Sequence, residues 1–190
     1  EMQRSLVGSE MCIRDRYVKE ADTYMTVNTF FFPETVTVLK TLKSQGAQIG
    51  IISTKFRFRI REMVDQHFPK DFFDIIIGGE DVKQAKPDPQ GIKKALRRLH
   101  RQKNETLYIG DSTVDAETAQ AAKVDFVGVL NGMTTREELI VYPHRQILDN
   151  LSLLPLIHKF TPYEPDKHFP EKFFYSSYFP QKIVAFYKLF

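Results

Sequence analysis

The chain is poor in several features that would point to particular classes of protein. It has a single cysteine, Cys12, so no internal disulfide can form; this excludes a disulfide-stapled scaffold and fits a reducing, cytoplasmic setting. No apolar run approaches the roughly 20 residues of a membrane span, and no charged-then-apolar signal pattern opens the chain, so no membrane partner is expected. Net charge is only +3, too small to argue for nucleic acid. The basic runs Lys55–Arg61 and Lys93–Lys103 read as solvated helix faces. His67, His100 and His144 lack the spacing of a metal site.

What is present is the composition of an ordinary globular chain: 190 residues, 42% hydrophobic and 27% charged, enough for one domain with a sizeable core. Its pattern alternates. Pro33 opens a helix over about Glu34–Ser44, with Val36, Leu39 and Leu42 on one face and Gly46 suited to its C-terminal end. Gln48–Ser53 is too apolar for a one-sided sheet and reads as a parallel strand covered on both faces. A helix at Phe58–His67 and a buried strand at Asp74–Ile77 follow, closed by Gly78-Gly79. The loop Glu80–Pro89 leads to a helix at Pro89–His100, then a strand at Thr106–Gly110 and a helix at Val114–Lys123. A strand at Asp125–Leu130, a short helix at Thr135–Val141, a small strand at Gln146–Leu148 and a closing segment at Leu151–Ile157 complete the series. Strands alternating with helices predict an α/β fold: a parallel, Rossmann-like sheet flanked by helices.

The two ends differ from this body. Residues 1–16 have no clear period, and Ser5–Arg16 resembles a translated sequencing-adapter read; the expectation is a non-native segment, with a disordered natural terminus as the alternative. Residues 17–28 are mixed and polar, like the end of a helix. From His158 onward the chain is rich in Phe and Tyr with several prolines. That tail, 158–190, is either an unusual packed extension or non-native sequence, and Ile183–Phe190 has the makings of a strand.

The chemistry lies at strand ends. Ser53 ends one apolar strand, Lys86 sits in a loop after the next, and Asp111 and Asp115 follow the third, in Leu107-Tyr108-Ile109-Gly110-Asp111-Ser112-Thr113-Val114-Asp115. Ligands of parallel α/β sheets bind at the carboxyl ends of strands. A hydroxyl with backbone amides can hold phosphate oxygens, a lysine ammonium can neutralise them, and two carboxylates suit a hard cation such as Mg²⁺. The plainer readings are that Asp111 caps a helix and Asp115 complements its dipole, that Ser53 merely ends a strand, and that Lys86 is a solvated loop lysine. Glu80 and Asp81 would shape the Gly-Gly turn.

In this order the motifs resemble the haloacid dehalogenase superfamily of phosphotransferases. Ile49-Gly50-Ile51-Ile52-Ser53-Thr54-Lys55 is similar to its second motif, Lys86-Pro87-Asp88-Pro89 to its third, and Gly110–Asp115 to its fourth. The likeness covers about residues 29–157 and is greatest to the phosphoglycolate phosphatase group. It implies Mg²⁺-dependent hydrolysis of a small phosphorylated metabolite such as 2-phosphoglycolate. Ser53 and Lys86 would serve catalysis, Ser53, Thr54, Lys55 and Lys86 would bind phosphate, and Asp111 and Asp115 would hold the metal. Thr54 would offer only its backbone amide, and Lys55 reads more readily as a surface charge than as a substrate contact.

The family's first motif, Asp-x-Asp, supplies the nucleophile and the general acid/base. No Asp-x-Asp occurs in this chain. The resemblance therefore implies a core without its first strand and without most of its helical cap, residues 17–28 being the cap's last helix. Without a carboxylate nucleophile no aspartyl-phosphate can form, and the chain is expected to be inactive. The alternative is a non-catalytic scaffold that uses the fold for binding. The missing strand belongs between those ending at Ser53 and Gly110, leaving two apolar edges facing a gap unless Ile183–Phe190 fills it.

Overall fold

Six parallel strands form one sheet, and the last of them in sequence lies in its middle. A computed structural model describes residues 34–156 and 184–187, the latter as backbone; these lie within one compact unit. The segments 1–16 and 17–28, the apolar stretch before Glu34, and the tail apart from 184–187 fall outside the described residues. In chain order the elements are α1 (Thr35–Ser44), β1 (Gln48–Ile52), α2 (Arg57–Val64), β2 (Ile75–Ile77), α3 (Gln90–Leu99), β3 (Thr106–Gly110), α4 (Thr113–Ala122), β4 (Asp125–Val129), α5 (Arg136–Leu139), β5 (Gln146–Leu148) and β6 (Val184–Tyr187). Short 3₁₀ turns lie at Gly79–Asp81, Lys103–Glu105 and Leu151–Leu156.

Most predicted elements are present within a residue or two. Gly46 follows α1 at φ +86°, the left-handed conformation that ends a helix. Two helices are shorter than their patterns. α2 stops at Val64 rather than His67, and a turn carries the chain on, in which the His67 and Phe68 N–H groups both reach the Val64 carbonyl, at 3.0 and 2.9 Å. α5 is a single turn, fixed by a reciprocal cap in which Thr135 and Glu138 each accept the other's backbone N–H.

The strand order is β2-β1-β6-β3-β4-β5, and every pairing is parallel. The lane between β1 and β3, which the resemblance leaves empty, is filled by the end of the tail. Val184 lies beside Gln48 on one side and Thr106 on the other, and Tyr187 beside Ile51 and Ile109. β1 and β3 therefore do not face a gap.

Each strand is apolar because both of its faces are covered. On one face Ile52, Ile77, Tyr108 and Phe126 pack with Ile92, Ala95 and Leu96 of α3 and Ala116, Ala119 and Ala122 of α4. Alternation along β1, β3 and β4 sends Ile49, Ile51, Leu107, Ile109, Val127 and Val129 to the other face, and all are buried. α1 packs on β1 and on the Leu151–Leu156 turn. No helix among the described residues is long and apolar enough to cross a membrane.

Beyond β2 an ionic brace fixes the loop. Asp81 accepts the Gly78 N–H at 2.9 Å and pairs with Arg57 at 3.3 Å and Lys94 at 3.4 Å. Burial pushes its carboxyl upward, but Gly78, Arg57 and Lys94 outweigh that and hold it below the usual carboxylate range. A depressed native pKa means stability that is present above the unfolded value, near 3.9, and is lost as pH falls through the native one. Asp81→Asn should therefore lower the melting temperature at neutral pH, and the difference from the parent should shrink below about pH 4; a gap that stayed constant to pH 2 would exclude this role.

Candidate active site

The carboxyl ends of β1, β2, β3 and β4 converge on one edge of the sheet. Ser53 follows β1 and is buried. Its N–H donates to the Ile77 carbonyl at 3.0 Å, and its hydroxyl accepts the Lys55 N–H at 3.1 Å. The loop 53–57 is then pressed against Gly78-Gly79. A Cβ on Gly79 would meet the Thr54 carbonyl oxygen at 2.5 Å, and one on Gly78 would meet the Arg57 nitrogen at 2.5 Å. Only glycines allow that approach. Glu80 completes the brace by accepting the Arg57 N–H at 2.9 Å. Glu80 and Asp81 thus shape the turn, and the turn positions the Ser53 loop. Thr54 is exposed and Lys55 half-buried.

After β3 the chain turns into α4. Ser112, not Asp111, is the helix cap: its hydroxyl accepts the Asp115 N–H at 3.3 Å. Asp115 is fully buried, and both of its oxygens are engaged. Oδ1 accepts from Lys86 Nζ at 2.5 Å and from Tyr108 Oη at 3.2 Å, while Oδ2 accepts from Ser112 Oγ. Lys86, with 8% of its side chain exposed, also donates to Tyr108 Oη at 3.3 Å. Lys86 is therefore neither a solvated loop lysine nor remote from the acidic motif.

Two residues outside the sequence-level set complete this cluster. Tyr108 lies on a fully buried strand, and its hydroxyl bridges Lys86 and Asp115. Burial, then the charges of Asp115 and Asp111, push its phenol well above the ordinary tyrosine range, so it remains a neutral donor. A tyrosine inside an aliphatic strand was the available signal, since a buried phenol needs a partner. Gly110 is the second. A Cβ there would sit 2.3 Å from the Asp115 Cβ, so glycine lets Asp115 fold back over the strand end.

Asp111 stands at the mouth, half-buried. The loop after β4 crosses beside it: a Cβ on Gly132 would lie 2.6 Å from Asp111 Oδ2. Among the described residues no group of three or more His, Cys, Asp or Glu side chains is placed to hold a metal ion. Two carboxylates at a strand end still fit Mg²⁺, which commonly takes one or two protein carboxylates together with waters and substrate phosphate. Of the two, Asp115 is already occupied by Lys86, Tyr108 and Ser112.

A parallel sheet with this lysine–carboxylate pair at its carboxyl end can be set beside known proteins. The sequence model of the haloacid dehalogenase-like hydrolase family matches residues 2–129. The chain belongs to that family. A solved haloacid dehalogenase-like hydrolase from Bacteroides fragilis shares 55% identity and superposes with a TM-score of 0.73, over 76% of this chain and 69% of that one. The phosphoglycolate phosphatase of Cereibacter sphaeroides is 34% identical over 114 residues, 60% of this chain and 51% of its own length. The pyrophosphatase PpaX of Bacillus mycoides is 35% identical over 117 residues, 61% of this chain and 54% of its own. The chain spans about half the length of these curated relatives. Among haloacid dehalogenase-like hydrolases, then, it retains a Rossmann-like parallel sheet with helices on its faces.

Proposed function

We propose that this chain carries the phosphate-binding and cation-binding half of a Mg²⁺-dependent phosphomonoester hydrolase and lacks the half that supplies the nucleophile. The observation that carries the reading is the convergence of Lys86 and Asp115, 2.5 Å apart, at the sheet edge where Ser53 and Asp111 also end their strands. Lys86 would neutralise non-bridging oxygens of a bound phosphate. The Ser53 hydroxyl and the backbone N–H groups of the loop through Lys55 would orient it, and Tyr108 would hold Lys86 in place. Asp111 is the carboxylate at the site's mouth that would hold Mg²⁺, with Asp115 beside it only if it gives up its Lys86, Tyr108 or Ser112 partner; the ion when bound adds charge neutralisation to phosphoryl transfer. The substrate would be a small phosphorylated metabolite, 2-phosphoglycolate by its relatives, in a cytoplasmic setting. That two relatives of nearly equal identity bear the names phosphoglycolate phosphatase and pyrophosphatase supports phosphate recognition as the shared element.

The nucleophile should follow the strand between β1 and β3. β6 lies there, and no Asp-x-Asp occurs in the 190 residues. The same observation favours a second reading, a non-catalytic scaffold whose sheet is closed without a catalytic strand. Purified 1–190 with Mg²⁺ should not hydrolyse 2-phosphoglycolate or p-nitrophenyl phosphate above the buffer rate. It should bind inorganic phosphate by calorimetry, and Lys86→Met should abolish that binding. Turnover that disappears in Asp111→Asn would overturn the inactivity, and absence of any phosphate binding would overturn the phosphate site and leave the scaffold.

A further inference from the structure

The middle lane of this sheet is a strand-acceptor slot, and we propose that a second copy of the chain can fill it, exchanging β6 between two copies to give a strand-swapped dimer. The argument rests on backbone pairing and is independent of the proposed activity. Among the described residues β6 alone joins β2-β1 to β3-β4-β5, since each of the two inner strands pairs with β6. It is also the last described element of the chain, while β1 to β5 are linked through short helical crossovers. Until β6 arrives, β1 and β3 each present an apolar edge with unpaired N–H and C=O groups, the arrangement that recruits a foreign strand.

The chain allows delivery in either direction. Residues 157–183 separate the Leu151–Leu156 turn from Val184, and a connection of that length spans at most about 90 Å when extended. A domain of this size has a radius of gyration of about 15 Å, so the connection can reach the slot of an adjoining copy. A strand taken from a neighbour makes the same parallel bonds, Val184 beside Gln48 and Thr106 through to Tyr187 beside Ile51 and Ile109. The closed and exchanged forms then differ mainly by chain entropy and concentration, the situation in which swapping is a low-cost route to dimers. Tethering gives the chain's own strand an effective concentration that falls from about a millimolar as the connection lengthens, so exchange should be favoured by folding at high protein concentration.

The test uses Leu107 and Ala185, which are Cα partners across β3 and β6. Two full-length variants are prepared, both with Cys12→Ser, one with Leu107→Cys and the other with Ala185→Cys and a distinguishing mass tag. They are unfolded, mixed, refolded and oxidised. A disulfide joining Cys at 107 of one variant to Cys at 185 of the other forms only if β6 is delivered between copies. The expected result is that heterodimer, with its ratio to monomer rising about tenfold for each tenfold increase in refolding concentration while it is the minor form. A third variant carrying both cysteines in one chain controls for placement. If it closes only within the chain, and the mixture yields no heterodimer at any concentration, exchange is refuted. If neither sample cross-links, β6 does not occupy the slot and the proposal fails with it. Light scattering of the unsubstituted protein refolded over the same concentrations provides a cysteine-free check: a mass that stays monomeric throughout also refutes exchange.

Discussion

Ala185→Pro is expected to destabilise the domain severely, lowering stability by about 3–5 kcal/mol out of the roughly 5–15 kcal/mol that holds such a domain together. Ala185 sits inside β6 with Ile49 on one side and Leu107 on the other. Proline removes the backbone N–H that a central strand needs, and its ring has no room beside two neighbours. The acceptor it abandons lies in a sheet covered on both faces, so water cannot replace the bond. The loss reaches further than one residue, because β6 alone bridges the two halves of the sheet. Gln146→Pro is the matched control. Gln146 opens β5, an edge strand, and its side chain is exposed, so the change should cost about 1 kcal/mol or less. Urea titrations followed by circular dichroism give both values; equal midpoints for the two proline variants would mean that 184–187 is not the central strand.

That central strand was the feature least legible in the sequence. Near-continuous apolar runs such as Ile49–Ile52 and Leu107–Ile109 mark strands covered on both faces, and their alternation with helices fixes a parallel sheet. Neither property says which strand lies beside which. Parallel pairing joins residues far apart in the chain, and an aromatic-rich tail has no period that names its neighbours. A resemblance that placed a missing strand between β1 and β3 made Ile183–Phe190 a candidate, and only the pairing register put Val184–Tyr187 there. The positions that make up the candidate site were more readable. Ser53, Lys86, Asp111 and Asp115 were visible because strand ends, glycines and a Lys-Pro pair punctuate the chain around them. What the pattern hid was a through-space relation: Lys86 and Asp115 are 29 residues apart in sequence and meet under a tyrosine that reads as one more apolar strand residue.

Lys86 and Asp115 should behave as one unit in a double-mutant cycle, and this is the second large effect. Lys86→Met removes the ammonium that Asp115, a fully buried carboxylate, accepts from at 2.5 Å. Asp115→Leu leaves an ammonium that is 8% exposed with only the Tyr108 oxygen. Stranding one member of a buried ion pair typically costs about 3–5 kcal/mol, whereas exchanging both for packed apolar groups is often neutral or stabilising. Each single variant should therefore lose about 3 kcal/mol, with Asp115→Leu the worse because no second acceptor faces Lys86 in the cluster described. The double variant should recover most of that loss and stay within about 1 kcal/mol of the parent, a coupling of about 5 kcal/mol. The cycle also separates two roles for the pair. A double variant as stable as the parent would mean that the ion pair contributes little to holding the fold, and that its value lies in the phosphate Lys86 can neutralise and the cation Asp115 can help hold; loss of phosphate binding in that stable variant would complete the case. A double variant whose loss equals the sum of the singles would mean that the two charges act independently, and the cluster beneath the carboxyl end of β3 would no longer stand as a single site.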